Sequence, residues 1–147
     1  MKNLFKFIFI IAGIAGAILI YVIAKDTFKK NDSVFRDGIS YYTNGKYEAA
    51  EQIFQNEAEQ GNKQAYSYLG HIKLIQRKPK EAEKYLLLAL EELKNNPDIS
   101  VKQSILFNLG STYLNLRDDS KAKMYLNESS KLGNKSADQL LKKYNLN

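Results

Sequence analysis

The amino-acid sequence predicts an all-α protein in which one N-terminal transmembrane helix is followed by a stack of helical hairpins. Three observations lead to this fold class. An uncharged apolar run occupies residues 7–24. Glycine and alanine recur at a fixed distance along the rest of the chain. Apolar residues there follow a spacing of three and four, which is typical of one face of an α-helix, and no segment alternates like a β-strand.

The apolar run reads FIFIIAGIAGAILIYVIA, 18 residues without a charge. A helix rises about 1.5 Å per residue, so the run is roughly 27 Å long, close to the thickness of a bilayer's hydrocarbon core. We interpret residues 1–24 as an uncleaved signal-anchor and residues 25–32 as a juxtamembrane linker. The alternative is a signal peptide cleaved after Ala24, which would leave a soluble periplasmic domain, but the run is long for that purpose.

Lysines flank the apolar run on both sides, so the local charge does not decide its orientation. Signal-anchors at this position usually keep the N-terminus inside, and we therefore expect the C-terminal domain outside the cytoplasm. The abundance of Lys, Asn and Ile hints at a bacterial source, which would place the anchor in the inner membrane and the domain in the periplasm. Small residues four apart, at Ala12 and Gly16, leave open a homo-oligomer formed through this helix.

Composition argues against several classes of function. The chain has no cysteine, which excludes disulfides, thiolate metal sites and cysteine nucleophiles. His71 is the only histidine, and a single histidine is a poor metal site. The formal net charge of +6 is mild and dispersed, unlike a nucleic-acid footprint. We therefore expect no enzymatic activity, no cofactor, no metal and no nucleic-acid partner.

The repeat is marked by three Gly/Ala pairs, in each of which the two residues are twelve positions apart. The pairs are offset by 32 and then 40 residues: Gly38 and Ala50, Gly70 and Ala82, Gly110 and Ala122. The similar tracts at 61–65 and 133–137 are 72 residues apart, the sum of both offsets. Small residues let the two helices of a hairpin approach closely while Tyr and Leu fill the space around them. The pairs therefore predict a glycine on the first helix and an alanine on the second helix of each hairpin.

These residues resemble the tetratricopeptide repeat, which has Gly or Ala in the first helix, Tyr three residues later and Ala-x3-Phe/Tyr in the second helix. The matching positions are Gly38, Tyr41, Gly45, Tyr47, Ala50 and Phe54 in the first repeat, Gly70, Ala82, Leu86 and Ala89 in the second, and Gly110, Tyr113, Ala122 and Leu126 in the third. Lys73 departs from the pattern, since it stands where Tyr is expected. Residues 58–70 and the 40-residue offset look more like the related Sel1-like repeat. The resemblance implies an α-α superhelix of about three hairpins in residues 33–147, with a capping helix at 136–144.

The same resemblance implies that the first helix of each hairpin lines a concave groove. Carried over, the partner-binding positions are Phe35, Ile39, Tyr42, Ser67, His71, Leu74, Phe107, Ser111 and Leu114. Such a mixture of aromatic, aliphatic and small polar groups suits an apolar helix or an extended peptide. For Phe35 and Tyr42 the alternative is a place in the core. The densest basic patch, Lys73, Arg77, Lys78, Lys80 and Lys84, is a solvated surface or a contact with anionic lipid headgroups.

Taken together, the sequence favours a membrane-anchored adaptor or envelope-complex assembly factor that binds a protein or peptide partner. The alternative is an exported Sel1-like immunity protein, or inhibitor, that neutralises a toxin by direct binding. Rescue from toxicity on co-expression with a toxin would distinguish the second hypothesis from the first.

Overall fold

The computed structural model describes residues 16–23, 25, 33–95 and 97–146, and in these ranges the chain is helical apart from turns and short connections. Of the predicted transmembrane segment, residues 16–23 are helical, and their large apolar side chains, such as Ile20, are exposed. The remainder of that segment and most of the predicted linker lie outside the described residues. Among the helices that the structure does describe, none is long and apolar enough to cross a bilayer.

The repeat region consists of helices that pair in chain order. Residues 33–43 form α1, and the helices that follow are α2 (Tyr47–Glu59), α3 (Ala65–Ile75), α4 (Pro79–Glu92), α5 (Ile99–Asn115), α6 (Asp119–Lys131) and α7 (Lys135–Lys143). α3 packs most extensively on α4, and α5 on α6, while α2 contacts α3, α4 contacts α5 and α7 covers α6. This is a stack of antiparallel hairpins, and it confirms the predicted all-helical α-α architecture.

The Gly/Ala pairs lie where the two helices of a hairpin come closest. A Cβ atom added to Gly70 would lie 2.5 Å from Cγ of Leu86, and one added to Gly110 would lie 2.5 Å from Cγ of Leu126. The alanines of all three pairs are completely buried. The repeat therefore reflects close helix packing, as the sequence predicts.

The turn inside each hairpin has the same backbone geometry. The second residue after the end of the first helix adopts a left-handed conformation, with φ of 73° at Gly45, 59° at Arg77 and 60° at Arg117. In each case its N–H donates to the carbonyl three residues back, and the next N–H donates to the carbonyl five residues back. These bonds satisfy carbonyls that the end of a helix leaves without partners.

The two ends of the stack are closed by polar surfaces. In α1 the positions that would face a preceding hairpin are exposed, and they carry Asp37, Ser40 and Tyr41. Their equivalents in α3 and α5 are buried against α2 and α4: Leu69, Ile72 and Lys73, and Leu109, Thr112 and Tyr113. At the other end, α7 buries Leu141 and exposes Lys142 and Lys143. α1 and α7 therefore act as caps of a short stack.

Candidate protein-binding surface

The first helices form the inner side of the stack. α3 contacts α5 directly, whereas in the described part of the chain α4 makes no comparable contact with α2 or α6. α3 therefore lies closer to α5 than α4 lies to α2 or α6, and this arrangement favours curvature toward the side of the first helices. We call the side formed by α1, α3 and α5 the groove; all nine predicted binding positions lie on these three helices.

Eight of the nine predicted positions are half-buried, with part of each side chain at the surface. They are Ile39 and Tyr42 on α1, Ser67, His71 and Leu74 on α3, and Phe107, Ser111 and Leu114 on α5. Phe35 differs, since only 8% of it is exposed and its ring packs against Phe54 and Tyr68, with centroids 5.5 and 5.9 Å away. Phe35 is therefore a core residue that supports the groove from beneath, which is the alternative that its size suggested.

Tyr42 and His71 connect α1 to α3 within the groove. The Tyr42 hydroxyl lies 2.6 Å from Nδ1 of His71, and the two ring centroids are 5.6 Å apart. Burial raises the pKa of Tyr42 to about 12, and the neighbouring Tyr47 and Tyr68 add to the effect. Burial also lowers the pKa of His71 below its ordinary value of 6.5. A neutral imidazole with its proton on Nε2 can accept the hydrogen bond from Tyr42 and present Nε2–H as a donor.

A cleft of about 440 Å³ separates the beginnings of α3 and α5. Its lining includes Ser67, which is a predicted position, and residues that sequence reasoning missed: Gln64, Tyr68, Asp98, Val101 and Ile105. The cleft exists because α5 has 17 residues and α3 has 11, so α5 starts six residues before the point equivalent to Ala65. The signal for this extension was present in the sequence as the longer, 40-residue offset.

A second cleft, of about 450 Å³, lies on the other flank of the α5 extension. It is lined by the end of α4, the start of α5 and the end of α6, and its residues include Leu93, Ile99 and Leu132. Ile99 is 70% exposed at its rim. The extension thus gives the third hairpin an apolar projection that the second hairpin lacks.

Polar side chains link successive hairpins at equivalent positions. Nζ of Lys73 lies 2.6 Å from a carboxylate oxygen of Glu51 and 3.0 Å from one of Glu81. One repeat later, Tyr113 takes the place of Lys73 and donates to Glu83, the equivalent of Glu51, over 2.6 Å. Lys73 is only 5% exposed. The expectation that it belongs to a basic surface patch is therefore wrong, because its ammonium group is buried between carboxylates.

The ion pair shifts the pKa of both partners toward the charged forms. Burial favours the neutral form of Glu51, but hydrogen bonds from Lys73 and Gln76 outweigh it and lower the pKa of Glu51. Burial likewise opposes the charge on Lys73, but Glu51 and Glu81 outweigh it and raise the pKa of that ammonium group. The link is thus a charged one that holds the second hairpin to the first.

Comparison with known proteins identifies part of this stack. Residues 103–133, which cover most of α5 and all of α6, match the tetratricopeptide repeat family. A search of curated proteins returns no match. The second hairpin shares the Gly contact, the buried Ala and the left-handed turn of the third, so its packing is similar to that of the matched repeat. Repeats of this type generally serve in protein–protein interaction rather than in catalysis.

Proposed function

We propose that this chain is a membrane-anchored adaptor that binds a segment of a partner protein along the groove. The observation that supports this function best is the alignment of eight half-exposed side chains, contributed by three first helices, on one side of the stack. Exposed groups in such an arrangement offer a continuous surface to a long, narrow partner, which stacked repeats commonly bind.

The chemistry of the groove favours a largely apolar partner segment. Ile39, Leu74 and Leu114 present aliphatic carbon, and Phe107 adds an aromatic ring, all partly exposed. Ser67, Ser111 and the imidazole of His71 supply a few hydrogen-bonding groups between them. An amphipathic helix or an extended strand could place its apolar side chains on the aliphatic and aromatic residues of the groove and its polar groups on the serines and the histidine.

The anchor is the second half of the proposal. The uncharged run at 7–24 has the length and composition of a bilayer-spanning helix, and a helix there would hold the groove next to the membrane. We place the anchor in a bacterial inner membrane with the repeat region in the periplasm. Protease treatment of intact spheroplasts tests this orientation, because degradation of the repeat region supports it and protection of that region contradicts it.

The groove is tested by variants assayed for partner binding in native membranes. Crosslinking and mass spectrometry first identify the partner, and co-purification then compares wild type with Phe107→Glu and Ser111→Arg. Met124→Glu on α6 is the matched control, since Met124 is 46% exposed on a second helix. We expect loss of co-purification for the two groove variants only. Undiminished binding by both, with their folding verified by circular dichroism, would exclude the groove, and a toxin as partner would favour the inhibitor hypothesis.

A further inference from the structure

The charge of the repeat region is divided unequally between its two long edges. We define the turn edge as the half of each hairpin next to its internal turn, together with the end of α7: residues 38–54, 70–86, 110–126 and 142–146. The turn edge carries eleven basic and six acidic residues, whereas the rest of residues 33–146 carries six basic and eight acidic ones. The modest excess of positive charge in this region is thus concentrated on one edge.

Two arginines hold unusual backbone positions on the turn edge. Arg77 and Arg117 have φ of 59° and 60°, in the position that Gly45 occupies in the first hairpin. Glycine is the residue that a left-handed helix end ordinarily selects, because a Cβ atom is strained there. A strained residue retained in two successive turns, and of the same type in both, suggests that the guanidinium group is used.

The basic groups at these turns are available to a ligand. Arg77, Lys78, Lys80 and Arg117 are exposed. In the part of the chain that the structure describes, none of these four lies within ion-pair distance of a carboxylate. They therefore form no direct ion pair in the described part of the chain, in contrast to the buried Lys73, although Lys78 lies near enough to Glu51 to contribute to the lowering of its pKa.

We propose that the turn edge binds an acidic segment of a protein, separately from the groove. Neighbouring hairpins place their turns about 10 Å apart, as packed helices do. A segment in the polyproline II conformation covers that distance in about three residues, which is one turn, so that residues three apart face the same side. A segment with an acidic residue at every third position could therefore place one carboxylate at each of the turns that carry Arg77 and Arg117, where bidentate contacts are possible.

A protein segment fits this edge better than a lipid surface or a nucleic acid. Residue 33 begins α1 at the opposite edge, and α1 is about 16 Å long, so an anchor that precedes it would hold the turn edge away from the bilayer. This step rests on the anchor in the proposed function. The six acidic residues interspersed along the turn edge would in turn repel a continuous phosphate backbone, whereas a segment with spaced carboxylates can avoid them.

The test uses the full chain in phosphatidylcholine nanodiscs and a fluorescent peptide of about twelve residues with glutamate at every third position. Fluorescence anisotropy measures its affinity for wild type, for the triple variant Arg77→Gln/Lys78→Gln/Arg117→Gln, and for the control triple variant Lys102→Gln/Lys131→Gln/Lys135→Gln. Both triple variants lose the same charge, but the control residues are exposed on the opposite edge. We expect the turn-edge variant to weaken binding at least about tenfold and the control less than about twofold.

Several results would overturn the proposal. Equal losses in the two triple variants would show a non-specific charge effect, and tighter binding to single-stranded DNA or to phosphatidylglycerol vesicles would favour those ligands instead. Phe107→Glu separates this surface from the groove: retained peptide binding supports a distinct site, and lost binding places the peptide in the groove. Because the peptide assay does not involve the groove partner, failure here leaves the groove hypothesis standing.

Discussion

At the scale of single residues, the stack depends on positions where a neighbouring helix packs so closely that it leaves no room for a larger side chain. Gly110 is the clearest case, since an added Cβ would lie 2.5 Å from Leu126 Cγ and 3.3 Å from the Leu126 backbone nitrogen. Gly38 is less constrained, because its closest neighbours are side-chain atoms of Ile53 and Phe54 at 2.9 Å. The same Gly/Ala spacing therefore marks glycines that differ in how well they tolerate a larger side chain.

Gly110→Ala should lower the free energy of unfolding by about 2 kcal/mol, because overpacking against Leu126 outweighs the gain of about 1 kcal/mol in helix propensity. Chemical denaturation measures the change. Gly38→Ala is the comparison and should lose clearly less. If Gly110→Ala were as stable as wild type, close approach of α5 and α6 at this point would be refuted.

Arg77→Gly should raise the free energy of unfolding by about 1 kcal/mol, because the left-handed conformation is strained for arginine and not for glycine. Some of the gain is offset, since arginine near the end of α3 interacts favourably with the helix dipole. Gly45→Ala, at the equivalent position with φ of 73°, should show the reverse effect. A stability loss in Arg77→Gly would mean that the side chain contributes to folding rather than to binding.

At the scale of elements, successive hairpins are joined by equivalent polar links that use different chemistry. The second hairpin uses the ammonium group of Lys73 and the third uses the hydroxyl of Tyr113, each directed at a glutamate of the preceding hairpin. Lys73 departs from the repeat pattern, which has Tyr at this position. It nevertheless makes the same kind of contact, to a glutamate of the preceding hairpin, that Tyr113 makes. The ammonium group of Lys73 is mostly buried and has two carboxylate partners. This link therefore stabilises the stack only while the lysine and its carboxylate partners are all present.

Lys73→Met should lower the free energy of unfolding by about 3 kcal/mol, because it leaves Glu51 partly buried without its cation. Lys73→Tyr should cost clearly less, since a hydroxyl at this position can donate to Glu51 as Tyr113 does to Glu83. Thermal denaturation at neutral pH compares the two variants. Equal losses would show that size rather than hydrogen bonding governs this site.

The contact between α1 and α3 should respond to pH through His71. Burial lowers its pKa in the folded protein below the ordinary value of 6.5, so the unfolded chain binds the proton first as pH falls. The resulting stabilisation is complete above pH 6.5 and is lost as pH falls through the folded pKa. The loss due to Glu51 begins at lower pH, since its ordinary value is 4.5.

Urea denaturation of wild type and His71→Gln between pH 7.5 and about 5.5 isolates this effect. We expect the unfolding free energy of wild type to decrease over this range and that of His71→Gln to change much less. Parallel curves for the two proteins would show that His71 is not the titrating group.

The helices and their pairing could be predicted from the sequence more readily than the tertiary contacts of individual side chains. The Gly/Ala pairs located the hairpins because helix contact demands small residues, and the capping helix predicted at 136–144 corresponds to α7, Lys135–Lys143. Burial of Phe35 and Lys73 depends on rings and carboxylates from other helices, which no local pattern reveals. The clefts beside α5 arise from helix lengths in three dimensions, and only the longer offset hinted at them.

At the largest scale, the three hairpins within residues 33–146 have polar ends and present two different surfaces. The groove is partly apolar and lies along the first helices, while the turn edge is basic and lies beside it. Three repeats are about the minimum for a stable stack. Occupation of the groove should therefore stabilise the fold as well as recruit a partner.

Site-directed photo-crosslinking tests the central claim, that the groove holds a protein partner. A photoreactive residue is placed at Ser111 in the groove or, as the matched control, at Met124 on the opposite side of the same hairpin. In native membranes we expect one discrete crosslinked protein from position 111 and none from position 124. The same product from both positions, or a product from position 124 alone, would contradict the account.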